Sequence, residues 1–464
     1  MRRSRLKSLL AAAILAALGP ACSSTGNSPV GSGGSGADTT TPNSGGTTFG
    51  GNTGGSTNLG QGGATANGGV VETGGSANTG GISTTGGATG NGGALASGGT
   101  ASGGASASGG AAGSAGSLGS GGSPGTGGSS TGGSGASSQG PCDIYQSGNT
   151  PCVAAHSTVR ALYGAYNGPL YQVRRASDKT TKDVPPLAVG GVADTTIQDM
   201  FCAGTTCTIS MIFDQSPQHN DLPVAPKTAF MPGAGLEANA ADGKITVGGH
   251  PVHGIYVTGD PNFIANKKPN VAYRNNKTKG VATGTQAEAM YMVFDGKRSS
   301  SNCCFDYGNA ETNGAAGANA TMEALYWGSS TWYSKGVGSG PWVGGDYENG
   351  MYYGEGKGNT TNTTNTTVTG MEFVTGMLKG YTENRFGLKA GNAQSGKLET
   401  KWDGPRPSGY ATKKLEGAII LGTGGDGSQG GSGTFFEGAM TIGMPSDAID
   451  DAVQANIVAA GYAR

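Results

Sequence analysis

Acidic side chains in two distant segments are the strongest candidates for chemistry in this sequence. Asp346 and Glu348 lie in GPWVGGDYENGMYYG at 340–354, and Asp426 lies in EGAIILGTGGDGSQGGSGTFFEG at 416–438. Two carboxyl groups can act together in glycosidic hydrolysis, where one ionised group attacks a carbon and one protonated group supplies a proton, with about 5–5.5 Å between them in retaining reactions. A single Asp or Glu is more often a solvated surface charge, so this pair is a hypothesis that needs support.

The local setting of each acid suits such a role. The aromatic-rich pattern predicts a strand through Glu348, which places Asp346 two positions away on the same face. Two neighbouring acids compete for a proton, so Asp346 could tune the pair or bind a substrate hydroxyl. Asp426 lies among glycines, whose missing side chains allow a substrate to approach the backbone closely.

Other motifs predict no cofactor and no metal. GTGGDG at 422–427 has the spacing of a dinucleotide loop, but loop and strand patterns follow it, so no helix N-terminus is available for a pyrophosphate. GGSPG at 121–125 has the spacing of a serine-hydrolase motif, yet it lies where Gly and Ser produce such spacing by chance. His250 and His253 have a ligand-like spacing, but Pro251 separates them and the sequence has no CxxC pair.

The N-terminal sequence predicts export. Basic residues precede an apolar run from Leu9 to Leu18, which is typical of a secretory signal and too short to span a bilayer. Cys22 follows small residues, which favours a lipoprotein signal with Cys22 lipidated, while ordinary cleavage of a secreted protein is the alternative. We therefore expect residues 1–22 to be a signal peptide and membrane association to occur through the lipid alone, at the outer cell surface.

Composition divides the remainder into two parts. Residues 23–140 are Gly, Ser, Thr, Ala and Asn in irregular repeats, which predicts a disordered linker because little apolar surface can be buried. Aromatics, charges and cysteines begin together at Pro141, and 141–464 is long enough for one large domain. The formal net charge of −1 argues against a nucleic-acid partner and favours a neutral ligand.

Cysteine spacing predicts disulfides in an exported chain. Short loop closure favours pairing Cys142 with Cys152 and Cys202 with Cys207. Cys303 and Cys304 are adjacent, and α-carbons about 3.8 Å apart lie below the usual disulfide range, so a bond between them would be strained. Two alternatives to a bond between Cys303 and Cys304 therefore remain open: each could form a separate structural disulfide, or both could be free buried thiols.

The recurrence of short β-favouring runs predicts an all-β sandwich or barrel. The runs lie at 207–214, 253–257, 289–296, 322–328, 371–378, 417–422 and 434–443. Two helices are expected, one from Val153 to about Leu162 and one after Ser446 as N-cap, with Ile449, Val453 and Ile457 on one face.

Several long motifs together carry a family resemblance. Besides the two acidic segments, they are CCFDYGNAET at 303–312, GPCDIYQSGNTPCVAAHSTVRALY at 140–163, GGVADTTIQDMFCAGTTC at 190–207 and PSDAIDDAVQANIVAAGY at 445–462. From Gly140 onward the chain resembles the catalytic domain of the fungal α-L-arabinofuranosidase B family, glycoside hydrolase family 54. The resemblance implies a jelly-roll, concanavalin A-like sandwich and retaining hydrolysis of terminal α-L-arabinofuranosyl groups.

The resemblance also implies roles for individual residues. It places the nucleophile at Glu348 and the acid/base at Asp426, and it implies a vicinal disulfide between Cys303 and Cys304 that presents a flat apolar face to the sugar. Trp332 matches a family aromatic near the same subsite, whereas Trp342 is expected in the core. The implied substrate-binding residues are Asp346, Asn349, Cys303, Cys304, Trp332 and Gly425.

Two other functions stay possible from the sequence. A surface lectin could keep the sandwich without catalysis, and a related furanosidase or xylosidase could act on a different sugar. We expect a monomer whose partner is an arabinose-containing polysaccharide or oligosaccharide. The fungal members carry a C-terminal arabinose-binding β-trefoil that is expected to be missing here, so targeting is expected to come from the cell surface.

Overall fold

A computed structural model of the protein describes residues 139–356 and 360–464. The predicted signal peptide, Cys22 and nearly all of the predicted linker lie outside these residues. The helices are α1 (Pro141–Ser147), α2 (Thr195–Phe201), α3 (Phe263–Asn266) and α4 (Asp447–Ala459). The strands are β1 (Cys152–Ser157), β2 (Tyr171–Arg175), β3 (Thr181–Val184), β4 (Cys207–Ile212), β5 (Leu222–Pro223), β6 (Ala238–Asn239), β7 (Lys244–Val247), β8 (His250–His253), β9 (Ile255–Val257), β10 (Tyr273–Asn275), β11 (Glu288–Asp295), β12 (Asp306–Ala310), β13 (Glu323–Gly328), β14 (Lys335–Val337), β15 (Trp342–Asp346), β16 (Met351–Tyr352), β17 (Thr361–Thr366), β18 (Phe373–Gly380), β19 (Phe386–Asn392), β20 (Ser395–Gly404), β21 (Ala418–Leu421), β22 (Gly433–Ile442) and β23 (Tyr462–Ala463).

Two antiparallel sheets form a sandwich, which confirms the predicted fold class. The first has the order β1-β22-β11-β18-β19-β20, with β9 also paired to β22, and the second has the order β10-β21-β12-β13-β15-β16. Aromatic pairs join the sheets across the core, with ring centroids 4.6 Å apart for Phe294 and Trp327 and 5.3 Å apart for Tyr307 and Phe435. These rings contribute much of the apolar surface that holds the layers together.

Helices cover the outer face of the first sheet, so its central strands are buried on both faces. Every residue of β11 and β18 is buried. Lys379 and Lys389 reach out from this sheet, and each places its Nζ 2.7 Å from Oδ2 of Asp450 on α4. Burial on both faces explains why these strands read as nearly continuous apolar runs.

The predicted helix at Val153–Leu162 is wrong. Residues 152–157 form β1, which pairs antiparallel with β22 and is buried throughout. Val153, Ala154 and Ala155 have the composition of either element, and pairing with a distant strand overrides local helix propensity. The helix in this part of the chain is α1, which begins earlier, with Pro141 in its first turn.

The C-terminal helix and two disulfides agree with the sequence predictions. The Ser446 hydroxyl caps α4 by accepting the Ile449 N–H at 3.4 Å, and Val453 and Ile457 are fully buried. Disulfides join Cys142 to Cys152 and Cys202 to Cys207. Across the described ranges, no helix is both long and apolar enough to cross a membrane.

Strand register brings two loops of interest to one row of the second sheet. Leu421 of β21 pairs with Tyr307, Tyr307 pairs with Leu325, and Leu325 pairs with Gly345 of β15. The loop after β21 and the turn after β15 therefore start from the same row of the sheet, with β12 and β13 between them, although about 75 residues separate them in the chain.

Candidate active site

Glu348 lies in a tight turn between β15 and β16. Its φ is 63° and that of Asn349 is 55°, both in the left-handed region that non-glycine residues rarely adopt. The Tyr347 N–H donates to the Gly350 carbonyl at 2.9 Å, and the Glu348 N–H donates to Oδ1 of Asp346 at 3.2 Å. The sequence predicted a strand through Glu348, but the strand ends at Asp346, whose carboxylate stabilises the turn that follows.

Two neighbours fix the Glu348 turn. The Gly317 N–H donates to Oε1 of Glu348 at 3.1 Å, and Nδ2 of Asn349 donates to the Gly317 carbonyl at 3.0 Å. The Tyr410 hydroxyl donates to the Asn349 carbonyl at 2.6 Å. Such contacts hold a strained backbone in place, which is typical of sites where geometry matters for function.

Asp426 lies in the loop between β21 and β22. Its Oδ1 accepts the Ser428 N–H at 2.8 Å, whereas its Oδ2 is buried and has no hydrogen-bond partner among the described residues. Nη1 of the buried Arg274 donates to the Gly425 carbonyl at 2.6 Å and so anchors the loop. One carboxyl oxygen is therefore held by the backbone while the other is available to a ligand.

Both acids line one narrow pocket, whose empty space of about 290 Å³ includes its opening to solvent. The sequence-predicted residues Cys304, Asp346, Asn349 and Gly425 line it with them, together with Tyr333, Gly350, Met351, Gly424 and Ser428. Sequence reasoning missed these last five residues, which are two glycines, a tyrosine, a methionine and a serine and carry no catalytic signature in the sequence.

Cys303 and Trp332 lie in the hydrophobic cluster beside the pocket. Cys303, Cys304 and Met351 are buried members of this cluster, and half-buried Trp332 packs against it. Trp342 is buried in the same cluster, as predicted for a core residue. A cis peptide bond joins Cys303 to Cys304, and their pairing as a disulfide stays a prediction.

A third acid, Glu311, lies beside the pair and was not identified from the sequence. It is fully buried, its Oε1 accepts the Thr321 hydroxyl, and its Oε2 has no partner among the described residues. A Cβ added to Gly425 would lie 1.9 Å from this Oε2 and 3.1 Å from Oε2 of Glu348. Glycine at position 425 therefore lets the two carboxyl groups approach its backbone, and substrate contact at Gly425 stays a prediction.

Burial and mutual repulsion raise the pKa values of these acids. Burial is the largest cause for Glu348, whose pKa is raised well above its usual range, and Glu311, Asp426 and Asp346 raise it further. Burial also raises the pKa of Asp426, although hydrogen bonds from Ser428 and the charge of Arg274 oppose the shift. Acids this close cannot all ionise, so the cluster keeps a proton at neutral pH.

Substituting Glu311 with glutamine is expected to shift the pH profile of any reaction that needs ionised Glu348. Burial raises the pKa of Glu311 too, and removing its titratable group removes a repulsive neighbour that raises the pKa of Glu348. The pKa of Glu348 should fall, so the acidic limb of kcat/KM should move down by roughly one pH unit. Glu383→Gln, at an exposed position, is the matched control; an unmoved acidic limb in Glu311→Gln would contradict the electrostatic account.

One group of side chains has the spacing of a metal site. Ligand atoms of Cys304, Asp306 and Asp346 lie within 4.8 Å of one another, and all three residues are buried. A cysteine binds a metal as a thiolate. If Cys304 forms the predicted disulfide, its sulfur cannot act as a thiolate ligand; Cys304 and Asp346 line the pocket with the two acids, whereas Asp306 does not.

Comparison with known proteins identifies the family to which the chain belongs. The model of the family described as "Alpha-L-arabinofuranosidase B, catalytic" matches residues 141–463. The chain belongs to this family. Its members include the α-L-arabinofuranosidase B of Aspergillus oryzae, 50% identical over 326 residues, which are 70% of this chain and 62% of that protein. The arabinofuranosidase/B-xylosidase of Trichoderma koningii is 49% identical over 70% of this chain and 63% of its own.

Solved structures of family members share the fold. One is a glutamate-to-glutamine mutant of a GH54 α-L-arabinofuranosidase soaked with 4-nitrophenyl α-L-arabinofuranoside, with a TM-score of 0.66 and 45% identity over 70% of this chain and 66% of that one. Another is an arabinofuranosidase complexed with arabinofuranosyl-α-1,2-xylobiose, with a TM-score of 0.64 and the same identity and coverage. The chain spans less than two thirds of the length of the curated family members it matches.

Proposed function

We propose that this chain is a retaining, exo-acting α-L-arabinofuranosidase that releases terminal arabinofuranose from arabinan- or arabinoxylan-type polysaccharides. The observation that carries the proposal is that Glu348 and Asp426, from distant segments, line the same small pocket. Membership of the family, together with the names of its members, supports the sugar assigned.

In the first step Glu348 attacks the anomeric carbon and the bond to the leaving oxygen breaks. Asp426 delivers a proton to that oxygen, and its otherwise unpaired Oδ2 is the atom suited to do so. The products are an arabinosyl ester of Glu348 and a free alcohol. In the second step Asp426 takes a proton from water, the water oxygen attacks the anomeric carbon, and Glu348 leaves as a carboxylate.

The raised pKa values favour a single shared proton, but the pKa of Glu348, raised to about 11, opposes the ionised state that attack on the sugar requires. A retaining pair needs one proton on two carboxyl groups, and mutual repulsion together with burial favours that state over two ionised groups. The backbone N–H of Gly317 can stabilise the ionised form of Glu348, while Ser428 holds Oδ1 of Asp426. The proposed reaction requires the shared proton to lie on Asp426 when Glu348 attacks, so substrate binding has to lower the raised pKa of Glu348.

The remaining lining residues are proposed to bind the arabinofuranose ring. Asp346 and Asn349 offer polar groups for its hydroxyls, and Cys304 offers an apolar surface, with Cys303 and Trp332 packed behind it. The pocket is narrow and partly enclosed, which suits a terminal sugar better than an internal one and supports exo action. A sugar-binding protein without catalysis would not need two acids in this arrangement.

Hydrolysis of an aryl α-L-arabinofuranoside by the full chain is the direct test of this function. We expect release of the aryl alcohol, and release of arabinose from arabinan or arabinoxylan, with much lower rates on an aryl β-D-xyloside. Arabinose binding without hydrolysis of any of these substrates would favour the lectin hypothesis instead.

We also propose that the protein is exported and lipid-anchored through Cys22, with residues 23–140 as a spacer before the catalytic domain at 141–464. The basic and apolar pattern ahead of Cys22 supports this. Cys22→Ser is expected to move the enzyme from the membrane fraction to the medium, measured by arabinofuranosidase activity in each fraction. Equal distribution of the variant and wild type would contradict lipid anchoring, and Ser23→Ala is the control.

A further inference from the structure

A long irregular segment joins β20 to β21 and lies against the turn that carries Glu348. Residues 405–417, called the strap below, contain neither helix nor strand, and their one isolated strand-like pairing is between Leu415 and Gly284. Segments of this length without regular structure are uncommon in compact domains and often have a function. The conformation of the strap must be fixed by contacts with other parts of the chain.

One buried carboxylate holds the strap at two points. Oε1 of Glu323, on β13, lies 2.6 Å from Nη2 of Arg406, and its Oε2 lies 3.3 Å from Nζ of Lys413. All three side chains are buried. Nζ of Lys413 also donates to the carbonyls of Gln286 and Gly380, at 2.6 and 2.9 Å. Breaking such a buried pair leaves an uncompensated charge, so both ends of the strap are firmly held.

Between these two points the strap presents Tyr410 to the catalytic turn. The hydroxyl donates to the Asn349 carbonyl at 2.6 Å, and the ring packs against those of Tyr347 and Tyr352, with centroids 6.4 and 5.0 Å apart. Tyr347 and Tyr352 lie on either side of Glu348 in the chain, where β15 ends and β16 begins. Tyr410 therefore contacts the backbone of the turn and the side chains at both of its ends.

Two further contacts join the strap to Tyr347, the residue before Glu348. The Arg406 guanidinium lies over the Tyr347 ring, 5.2 Å from its centroid. The Lys414 N–H donates to the Ala320 carbonyl and the Ala320 N–H donates to the Tyr347 carbonyl, both at 2.7 Å. The strap therefore contacts the turn through side chains and through the backbone, and its own position depends on the buried ion pairs.

We propose that Tyr410 is a positioning residue for the nucleophile Glu348, and that Glu323 holds Tyr410 in place through the strap. The inference rests on the proposed function and extends it from the residues that line the pocket to a buried network behind them. Glu348 and Asn349 have left-handed backbone conformations, which persist only where surrounding contacts impose them. The hydrogen bond from Tyr410 to the Asn349 carbonyl is such a contact. Displacing a reacting group by about 1 Å can lower the rate by about 100-fold.

The first test removes the Tyr410 hydroxyl and keeps its ring. For an aryl α-L-arabinofuranoside, Tyr410→Phe is expected to lower kcat and kcat/KM equally, by about tenfold or more, with KM changed no more than about twofold. The reason is that the lost contact acts on the attack and not on substrate binding. Tyr171→Phe is the matched control, because it also removes one buried hydroxyl, which donates to Oε1 of Gln198 at 2.9 Å on a sheet outside the sandwich. The control should keep the kcat of wild type.

A double-mutant cycle tests the link between Glu323 and Tyr410. Glu323→Gln should lower kcat by about threefold or more in wild type and have little further effect in Tyr410→Phe, because both changes act through the same contact. If Glu323→Gln does not fold, Lys413→Met, which keeps the pair between Glu323 and Arg406, takes its place in the cycle.

Other results would overturn the proposal. An unchanged kcat in Tyr410→Phe, with or without a rise in KM, would show that Tyr410 does not position the nucleophile. Losses of kcat that multiply in the double variant would show that Glu323 does not act through Tyr410. Failure of the proposed function is distinguishable, because wild type and Tyr171→Phe would then leave the aryl glycoside intact.

Discussion

Glu348→Gln is expected to lower kcat for an aryl α-L-arabinofuranoside by about 10⁴-fold or more. The amide has nearly the shape of the carboxylate and can stay within the turn, but it cannot form the ester intermediate. The loss should appear in kcat with little change in substrate affinity, because the pocket itself is kept. Steady-state kinetics at several pH values would measure it, and the loss should persist across the pH range.

A rescue experiment separates loss of the nucleophile from loss of structure. Glu348→Ala leaves space beside the anomeric carbon, so added azide should restore turnover and give an arabinofuranosyl azide of inverted configuration. Glu383→Gln at an exposed position should keep full activity. Substantial activity in Glu348→Gln, or an azide product of retained configuration, would contradict the role of Glu348 as nucleophile.

Asp426→Asn is expected to slow substrates according to how much their leaving group needs a proton. Oligosaccharides with poor alkoxide leaving groups should lose about 10²–10⁴-fold in kcat/KM, whereas an aryl glycoside with an acidic phenol should lose much less in the first step. The side chain that must be protonated is gone, so the basic limb of the pH profile should flatten. Wild-type activity is expected to fall as the pH rises through the raised pKa of Asp426, and the variant should lack that decline.

The role of Asp426 is tested by comparing the loss of kcat/KM in Asp426→Asn between substrates with good leaving groups and substrates with poor ones. Asp403→Asn, at an exposed residue, controls for the change of an acid to an amide. Equal losses on good and poor leaving groups, with the basic limb unchanged, would show that Asp426 positions the substrate and does not transfer a proton.

Local patterns in the sequence predict the fold class and six of its strands. β-favouring runs bounded by glycines correspond to β4, β11, β13, β18, β21 and β22, and the Ser446 cap begins α4. The helix prediction for 153–162 failed because the small apolar residues of this segment fit the periodicity of a helix and that of a strand equally well. Its conformation depends on pairing with β22, more than 280 residues later for most pairs, and that contact leaves no local signature.

The candidate site is partly visible in the sequence. Long motifs point to Glu348 and Asp426, but their meeting in one pocket depends on strand register across the second sheet. Glu311 was missed although it lies in one of those motifs, because its proximity to Gly425 and Glu348 exists only in three dimensions. The left-handed turn at Glu348 and Asn349 was missed for the same reason, since neither residue type requires it.

Trapping the covalent intermediate tests the central claim most directly. An α-L-arabinofuranoside with a reactive leaving group and slow deglycosylation should leave one arabinosyl group on the protein, and peptide mass spectrometry should locate it on Glu348. The first sugar released should keep the α configuration by NMR. Label on another residue, or a first product of inverted configuration, would contradict double displacement by Glu348 and Asp426.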